Sequence, residues 1–369
     1  TSSLGANTTG ASNTAVGQGS LAANTTADGN TGVGYQALTA NTIGDRNTAL
    51  GWSAMATNVD GDRNVAIGYG AMQTFEPSNT ATYNTAVGYV AGNAMTTAIN
   101  NTFIGGLANA IGVPGNQNTA VGSQAMYNNA DVENTGIGYA ALNANTSGGY
   151  NTAVGSNVMS ANTTGDSNVA VGQNALDANT TASNNVAIGA AALGANTTGT
   201  NNVMVGNSAG DAITTSNNNT GVGHDVLGAN TSGDTNTAMG STTLNTNTTG
   251  SGNTGVGYAA LTANTSGASN VAVGSSALQA NTTAADNVAV GYQALLTNTT
   301  GAENTSVGSF SMNLNTTGSY NSAFGRLALR VNTTGIQNTA IGYQALAANT
   351  TASNNSAFGY NALVLNTTG

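Results

Sequence analysis

One 17-residue unit, N-T-A-V-G-Y-Q-A-L-x-A-N-T-T-G-x-x, recurs along almost the whole chain and restricts what it can fold into. Its leading Asn falls at Asn13, Asn30, Asn47, Asn64, Asn84, Asn101, Asn118 and Asn134, then at every seventeenth residue from Asn151 to Asn355, giving 21 copies. A fixed period of this length is the signature of a solenoid or array: each unit is too small to bury its apolar side chains alone and does so against its neighbours. Two spacings depart from 17. Asn64 to Asn84 is 20, with the extra residues in a loop holding Phe75, Glu76 and Pro77, and Asn118 to Asn134 is 16.

Numbering each unit from its Asn, position 5 is glycine in every copy, from Gly17 to Gly359, and position 4 is always apolar, from Val16 to Phe358. Positions 2 and 4 alternate with a small position 3, as in Val65-Ala66-Ile67, and this period of two with β-branched residues reads as a short strand. The apolar pair is expected to point inward, leaving position 3 (Ala, Gly or Ser, rarely Met204 or Phe103) as a flat outer face. Positions 8 and 9, mostly Ala-Leu, supply a second apolar layer on the opposite wall, as a strand or as one helical turn. Asn-Thr-Thr-Gly at positions 12 to 15 carries turn residues that tolerate left-handed backbone.

The predicted fold is therefore all-β: a parallel β-solenoid, or β-roll, of about 21 coils, forming one continuous array over 1–369 with irregular coils at 64–83, 84–117, 118–133 and 202–218. Strands stacked ~4.8 Å apart superpose identical residues and would make a rod of about 100 Å. The recurring Asn (Asn13, Asn30, Asn47, Asn151, Asn168, Asn270) is expected to form an inward ladder whose amides bond to the coils above and below. The recurring Gly (Gly17, Gly34, Gly51, Gly155, Gly172, Gly274) is expected to set the bend. The core per coil is thin, so sister chains are expected to pack on the position-3 face as a homotrimer. Three coils lose the position-9 apolar residue, at Gly92, Asn109 and Gly210; Met95 and Ile213 are expected to compensate in two of them, and Ile111 in the third.

The residue types present narrow the function. Only 5% of residues are charged, with four Arg, no Lys and a net charge of −10, which leaves nothing to neutralise phosphates on nucleic acid or an anionic membrane. No apolar stretch is long enough for a membrane span. With no Cys and a single His, at His224, nucleophilic and general acid-base constellations lack parts, so no enzyme activity, cofactor or metal is expected. Most acids, among them Asp28, Asp45, Asp62, Asp166, Asp234, Asp286 and Glu303, fall at positions 16 and 17; they are read as a solvated edge that resists lateral aggregation. Asn-Thr-Thr and Asn-Thr-Ser triplets, from Asn7 through Asn145 and Asn281 to Asn366, fit the N-glycosylation pattern but are read as the turn itself. Position 6 holds Tyr35, Trp52, Tyr69, Tyr89, Tyr139, Tyr258, Tyr292, Tyr343 and Tyr360, an intermittent aromatic column suited to surface contact with sugars, protofibrils or a neighbouring chain.

The run Asn338-Thr339-Ala340-Ile341-Gly342-Tyr343-Gln344-Ala345-Leu346, followed by Asn349-Thr350-Thr351, resembles repeats of phage tail-fibre proteins. The strand Asn64-Val65-Ala66-Ile67-Gly68 is similar to the head repeat of trimeric autotransporter adhesins, which implies a parallel β-roll in a homotrimer. The expected function is the shaft of an extracellular or virion fibre, with recognition of a cell-surface glycan or protein left to a domain outside this segment. The alternatives are a self-assembling cell-surface filament or matrix protein and, as a minor one, an ice-binding solenoid. The chain opens at Thr1 and stops within a repeat at Gly369, and is expected to be a segment of a longer polypeptide.

Overall fold

Each repeat places a strand at positions 2 to 4, between the Asn and the glycine bend. The computed structural model describes residues 2–78 and 81–367, so the ends at Thr1 and Gly369 lie outside the described residues. Among the described residues there are 21 three-residue strands and no helix. Strands pair in parallel and in register with the next coil, as Thr14 with Thr31 and Val16 with Val33, so the fold is a β-solenoid. The chain forms two compact units, Thr1–Asn184 and Asn185–Gly369. The first carries β1 (Thr14–Val16) to β10 (Val169–Val171), the second β11 (Val186–Ile188) to β21 (Ser356–Phe358). Within each unit, successive strands are paired throughout.

Strand burial corrects the expected sidedness. In every strand after β1 the middle residue, position 3, is buried, while positions 2 and 4 are half-buried or exposed. Position 3 therefore lines the interior, and the Thr, Val and Ile side chains of positions 2 and 4 form the outer face. The cause is width. Where position 8 is larger than alanine, even a single Cβ lacks room at position 3: at Gly32 it would lie 2.6 Å from Ser20 Oγ, and at Gly255 2.6 Å from Thr243 Cγ2. Opposite the buried Ala-Leu pairs of positions 8 and 9, such as Ala37-Leu38 and Ala175-Leu176, alanine fits and a β-branched residue overpacks.

The second wall is neither strand nor helical turn. Positions 7 and 9 both adopt left-handed backbone, with φ of 55° and 52° at Gln36 and Leu38 and of 54° and 52° at Gln293 and Leu295. The N–H groups of positions 7 and 9 point to opposite neighbours, while that of Ala37 between them bonds within its own coil, to the Gly34 carbonyl at 3.5 Å. Gln36 donates to the Gln18 carbonyl of the preceding coil at 3.0 Å, and Leu38 to the Ala54 carbonyl of the following coil at 3.1 Å. Left-handed backbone costs an ordinary residue roughly 1–2 kcal/mol, offset here by those inter-coil bonds and by burying the leucine.

The irregular coils follow from this geometry. Gly92, Asn109 and Gly210 keep position 9 left-handed, with φ of 59°, 42° and 60°, and they are residue types for which that region is less costly. Met95 and Ile213 are buried as expected. The remaining volume comes from the large position-3 residues: a Cβ on Gly92 would lie 2.9 Å from the Phe103 ring, and one on Gly210 would lie 2.9 Å from Ile213 and 3.1 Å from Met204. The expectation for Ile111 is corrected. It is 54% exposed, whereas Asn109 stays buried and donates Nδ2 to the Met126 and Asn129 carbonyls at 3.3 and 3.0 Å. In the 20-residue coil, Phe75 occupies position 12, fully buried, and Thr82 donates its hydroxyl to Asn64 Oδ1 at 2.7 Å.

Candidate functional site

The recurring Asn and Gly residues carry the solenoid's internal geometry. Asn30, Asn47, Asn151, Asn168 and Asn270 are fully buried. Oδ1 of Asn30, Asn47, Asn151 and Asn270 accepts the N–H of the next coil's Asn, at 2.8 Å from Asn47 to Asn30, 3.0 Å from Asn64 to Asn47, 3.0 Å from Asn168 to Asn151 and 3.0 Å from Asn287 to Asn270. Nδ2 donates to the carbonyl of position 15, at 2.8 Å from Asn30 to Gly44 and 2.8 Å from Asn270 to Ala284. Asn13, half-buried, makes the same pair of bonds, to Ala27 at 2.7 Å and from Asn30 at 2.9 Å. At Gly17, Gly34, Gly51, Gly155, Gly172 and Gly274, φ lies between +118° and +142°. A Cβ on Gly17 would also sit 2.6 Å from the Gly34 carbonyl oxygen.

A second amide column, at position 12, was not anticipated from the sequence. Asn41 donates to Asn24 Oδ1 at 3.1 Å and to the Gly44 carbonyl at 3.0 Å, and Asn264 repeats this with Asn247 at 2.8 Å and Gly267 at 2.9 Å. The signal was present in an Asn nearly as constant as the leading one, but its turn propensity explained it too readily. These are the asparagines of the Asn-Thr-Thr triplets. Asn145 and Asn281 are fully buried, so their amides are closed to modification in the folded chain. Where Ile213 interrupts the column, Ser216 Oγ accepts from Asn219 and Asn230 at 3.3 and 3.2 Å.

The acidic edge is partly structural. At position 16, Asp28 Oδ1 accepts the Ala11 N–H at 2.6 Å, and Asp45 and Asp62 accept the N–H of Asp28 and Asp45, both at 2.7 Å. Ser183 and Ser251 substitute at that position for Asp166 and Asp234 N–H, both at 3.0 Å. Burial raises the carboxyl of Asp177 above its ordinary value, and burial followed by the charge of Asp225 does the same to Asp211. Among the described residues, no three His, Cys, Asp or Glu side chains converge to hold a metal ion. Among the described residues no helix is long and apolar enough to cross a membrane, and His224 is exposed.

The aromatic column is drawn together in part. Tyr35, Trp52, Tyr69 and Tyr89 stack in sequence, with centroids 5.8, 4.7 and 5.4 Å apart and planes within 18°. Tyr343 stacks on Tyr360 at 5.2 Å. Tyr292 instead meets Phe310 of position 7 edge-on. Tyr139 stands between Ser123 and Ser156, and Tyr258 between Ser241 and Ser275. Arg326 lies over Tyr343 at 5.9 Å, and Arg63 over Tyr83 at 5.5 Å. Stacked rings cover one another's faces, so Trp52 and Tyr69 show only their edges to solvent, while Tyr35 and Tyr89 at the ends each keep one face without a stacked ring.

The outer strand face leaves apolar side chains exposed at position 4. Position 4 presents Val16, Leu50, Ile104, Ile188, Met239 and Ile341, each between 39 and 57% exposed. No charged residue stands at position 2 or 4 in any strand. Compared with known proteins, the chain matches no family model and no curated protein.

Proposed function

We propose that the chain is a non-enzymatic structural element, a shaft segment of an extracellular or virion fibre, whose outer strand face is covered by sister copies. The observation that carries this reading is the uncharged face of positions 2 and 4, apolar at position 4 in every strand of both units. Soluble monomers rarely leave so continuous an apolar surface in water. A sister chain brings the same ~4.8 Å axial repeat, so its side chains interleave at every coil, which a partner of different period cannot match. The homotrimer expected from the sequence is kept in this proposal, with its contact face moved from position 3 to positions 2 and 4. One His, no Cys and no Lys supply no nucleophile–base pair, in keeping with a passive role.

The test is association. Sedimentation of the chain at micromolar concentration is expected to give a discrete oligomer, and tagged and untagged chains folded together are expected to co-purify. Val256→Asp with Val273→Asp places charge on the outer face without touching the interior and is expected to yield a folded monomer. A wild-type chain that is itself monomeric discards the reading. Electron microscopy of the assembly separates a fibre of fixed length from an open filament or matrix.

A second reading, binding to ice, is favoured by the same face. It sets two outward columns side by side, threonine at Thr14, Thr31 and Thr48 and an apolar residue at position 4. The Thr-Thr turn offers less, because its first hydroxyl is engaged, as Thr25 to the Thr42 carbonyl at 3.3 Å. A thermal-hysteresis gap is expected on this reading, and its absence ends it.

A further inference from the structure

The four-ring stack ends abruptly. Tyr69 covers one face of Tyr89, and the coil on the other side carries Gly106 at position 6, the one glycine in that column. The coils are in direct register there: Leu107 N–H donates to the Tyr89 carbonyl at 2.8 Å, and Gln124 N–H to the Gly106 carbonyl at 3.0 Å. A Cβ at Gly106 would meet nothing within 4 Å. Tyr89 is accordingly 59% exposed, against 41, 43 and 47% for Tyr35, Trp52 and Tyr69. The next residue in the column is Ser123, two coils and so ~9.6 Å from Tyr89. The result is an open gap, one coil high, between the free face of Tyr89 and the coil that carries Ser123 and Gln124.

We propose that this slot binds the ring of a neutral saccharide, a pyranose with equatorial hydroxyls. Its C–H face lies on Tyr89 as the missing fifth ring of the stack, and its hydroxyls reach Ser123 and Gln124. An apolar floor with a few convergent polar groups is the usual composition of a small-ligand site. The choice of an uncharged sugar follows from the surroundings: none of Tyr89, Gly106, Ser123 and Gln124 is charged, and the chain's net charge of −10 disfavours phosphorylated or carboxylated rings. The inference stands apart from the proposed shaft role, because it concerns one coil and not the strand face.

The test is ligand-observed NMR and calorimetry on the whole chain, using methyl β-glucoside, methyl N-acetyl-β-glucosaminide and their short β-linked oligomers. Wild-type chain is expected to bind at least one with a millimolar dissociation constant. Gly106→Tyr installs the residue that nine other coils carry as an aromatic, in a backbone that needs no glycine there, so it is expected to fold normally and fill the slot. Gly106→Tyr, by occupying the gap, and Tyr89→Ala, by removing the ring contact, are each expected to weaken binding by about tenfold or more. Unchanged affinity in folded Gly106→Tyr, or no binding by wild-type chain to the panel at 20 mM or so, overturns the proposal.

Discussion

At the residue scale, the sidedness of the strand has a direct energetic consequence. Ala272 is buried and Val273 is 37% exposed. Ala272→Leu is therefore expected to destabilise the chain by about 1–3 kcal/mol through overpacking, while Val273→Ala should change the stability of the isolated chain by less than about 1 kcal/mol. Chemical denaturation of both variants checks the pair, and the opposite order would restore the inward reading of position 4. The buried amides give a second case. Asn270→Ala removes the acceptor of the Asn287 N–H and an inter-coil donor, which is expected to cost about 1–3 kcal/mol. Asp211 supplies a pH signature. Its folded carboxyl is raised above 3.8, so the charged form is penalised in the fold, and the penalty is present above the raised value and fades as pH falls toward 3.8. Asp211→Asn is expected to raise the melting temperature slightly at pH 7, with the gain vanishing below pH 3.8.

At the element scale, one coil is the unit in which substitutions compensate. Restoring the common residue by Gly210→Leu is expected to destabilise the chain, because Ile213 and Met204 already fill that space. Adding Ile213→Asn restores the position-12 amide and empties the space, so the double variant is expected to recover at least about 1 kcal/mol, a coupling that a double-mutant cycle measures. This coil also shows how far the sequence was legible. The period fixed the coil, its strand and the glycine bend, because a constant row implies a constant geometry. Met95 and Ile213 were readable as fillers because they replace a constant polar residue. The inward side of the strand was not readable: alternation defines two faces, and the choice of the apolar one assumed an interior wide enough for valine. The interior is set instead by wall-to-wall distance, which admits alanine. The alternating hand at positions 7 and 9 left no signature either, since leucine and glutamine there are not residues that favour left-handed backbone. Of the candidate contact residues, the column was legible, but the Tyr89 slot depended on the absence of a side chain at Gly106.

At the scale of the whole molecule, the two off-period spacings show where the array tolerates a change of length. The coil that starts at Asn64 has three extra residues, and the one that starts at Asn118 lacks one; both changes fall after position 12, in the turn. The strands on either side remain in register, Val65 with Thr85 and Thr119 with Thr135. A strand has no such freedom, because a one-residue shift exchanges its inner and outer side chains. Removing residues 253–269, one entire coil of the second unit, joins Gly252 to Asn270 and conserves every column. That deletion is expected to retain the fold and to shift the melting temperature by no more than about 4 °C, since an array loses roughly one repeat and one interface. Removing Ala268 alone, in the turn, is expected to be similarly mild. Removing Ala272 alone would place Val273 inward and draw Gly274, whose φ of 135° only glycine accepts readily, out of the column of bends. Circular dichroism and thermal melting of the three deletions are expected to separate the last from the first two. Equal tolerance of all three would mean that stacked columns of identical residues do not hold the array together.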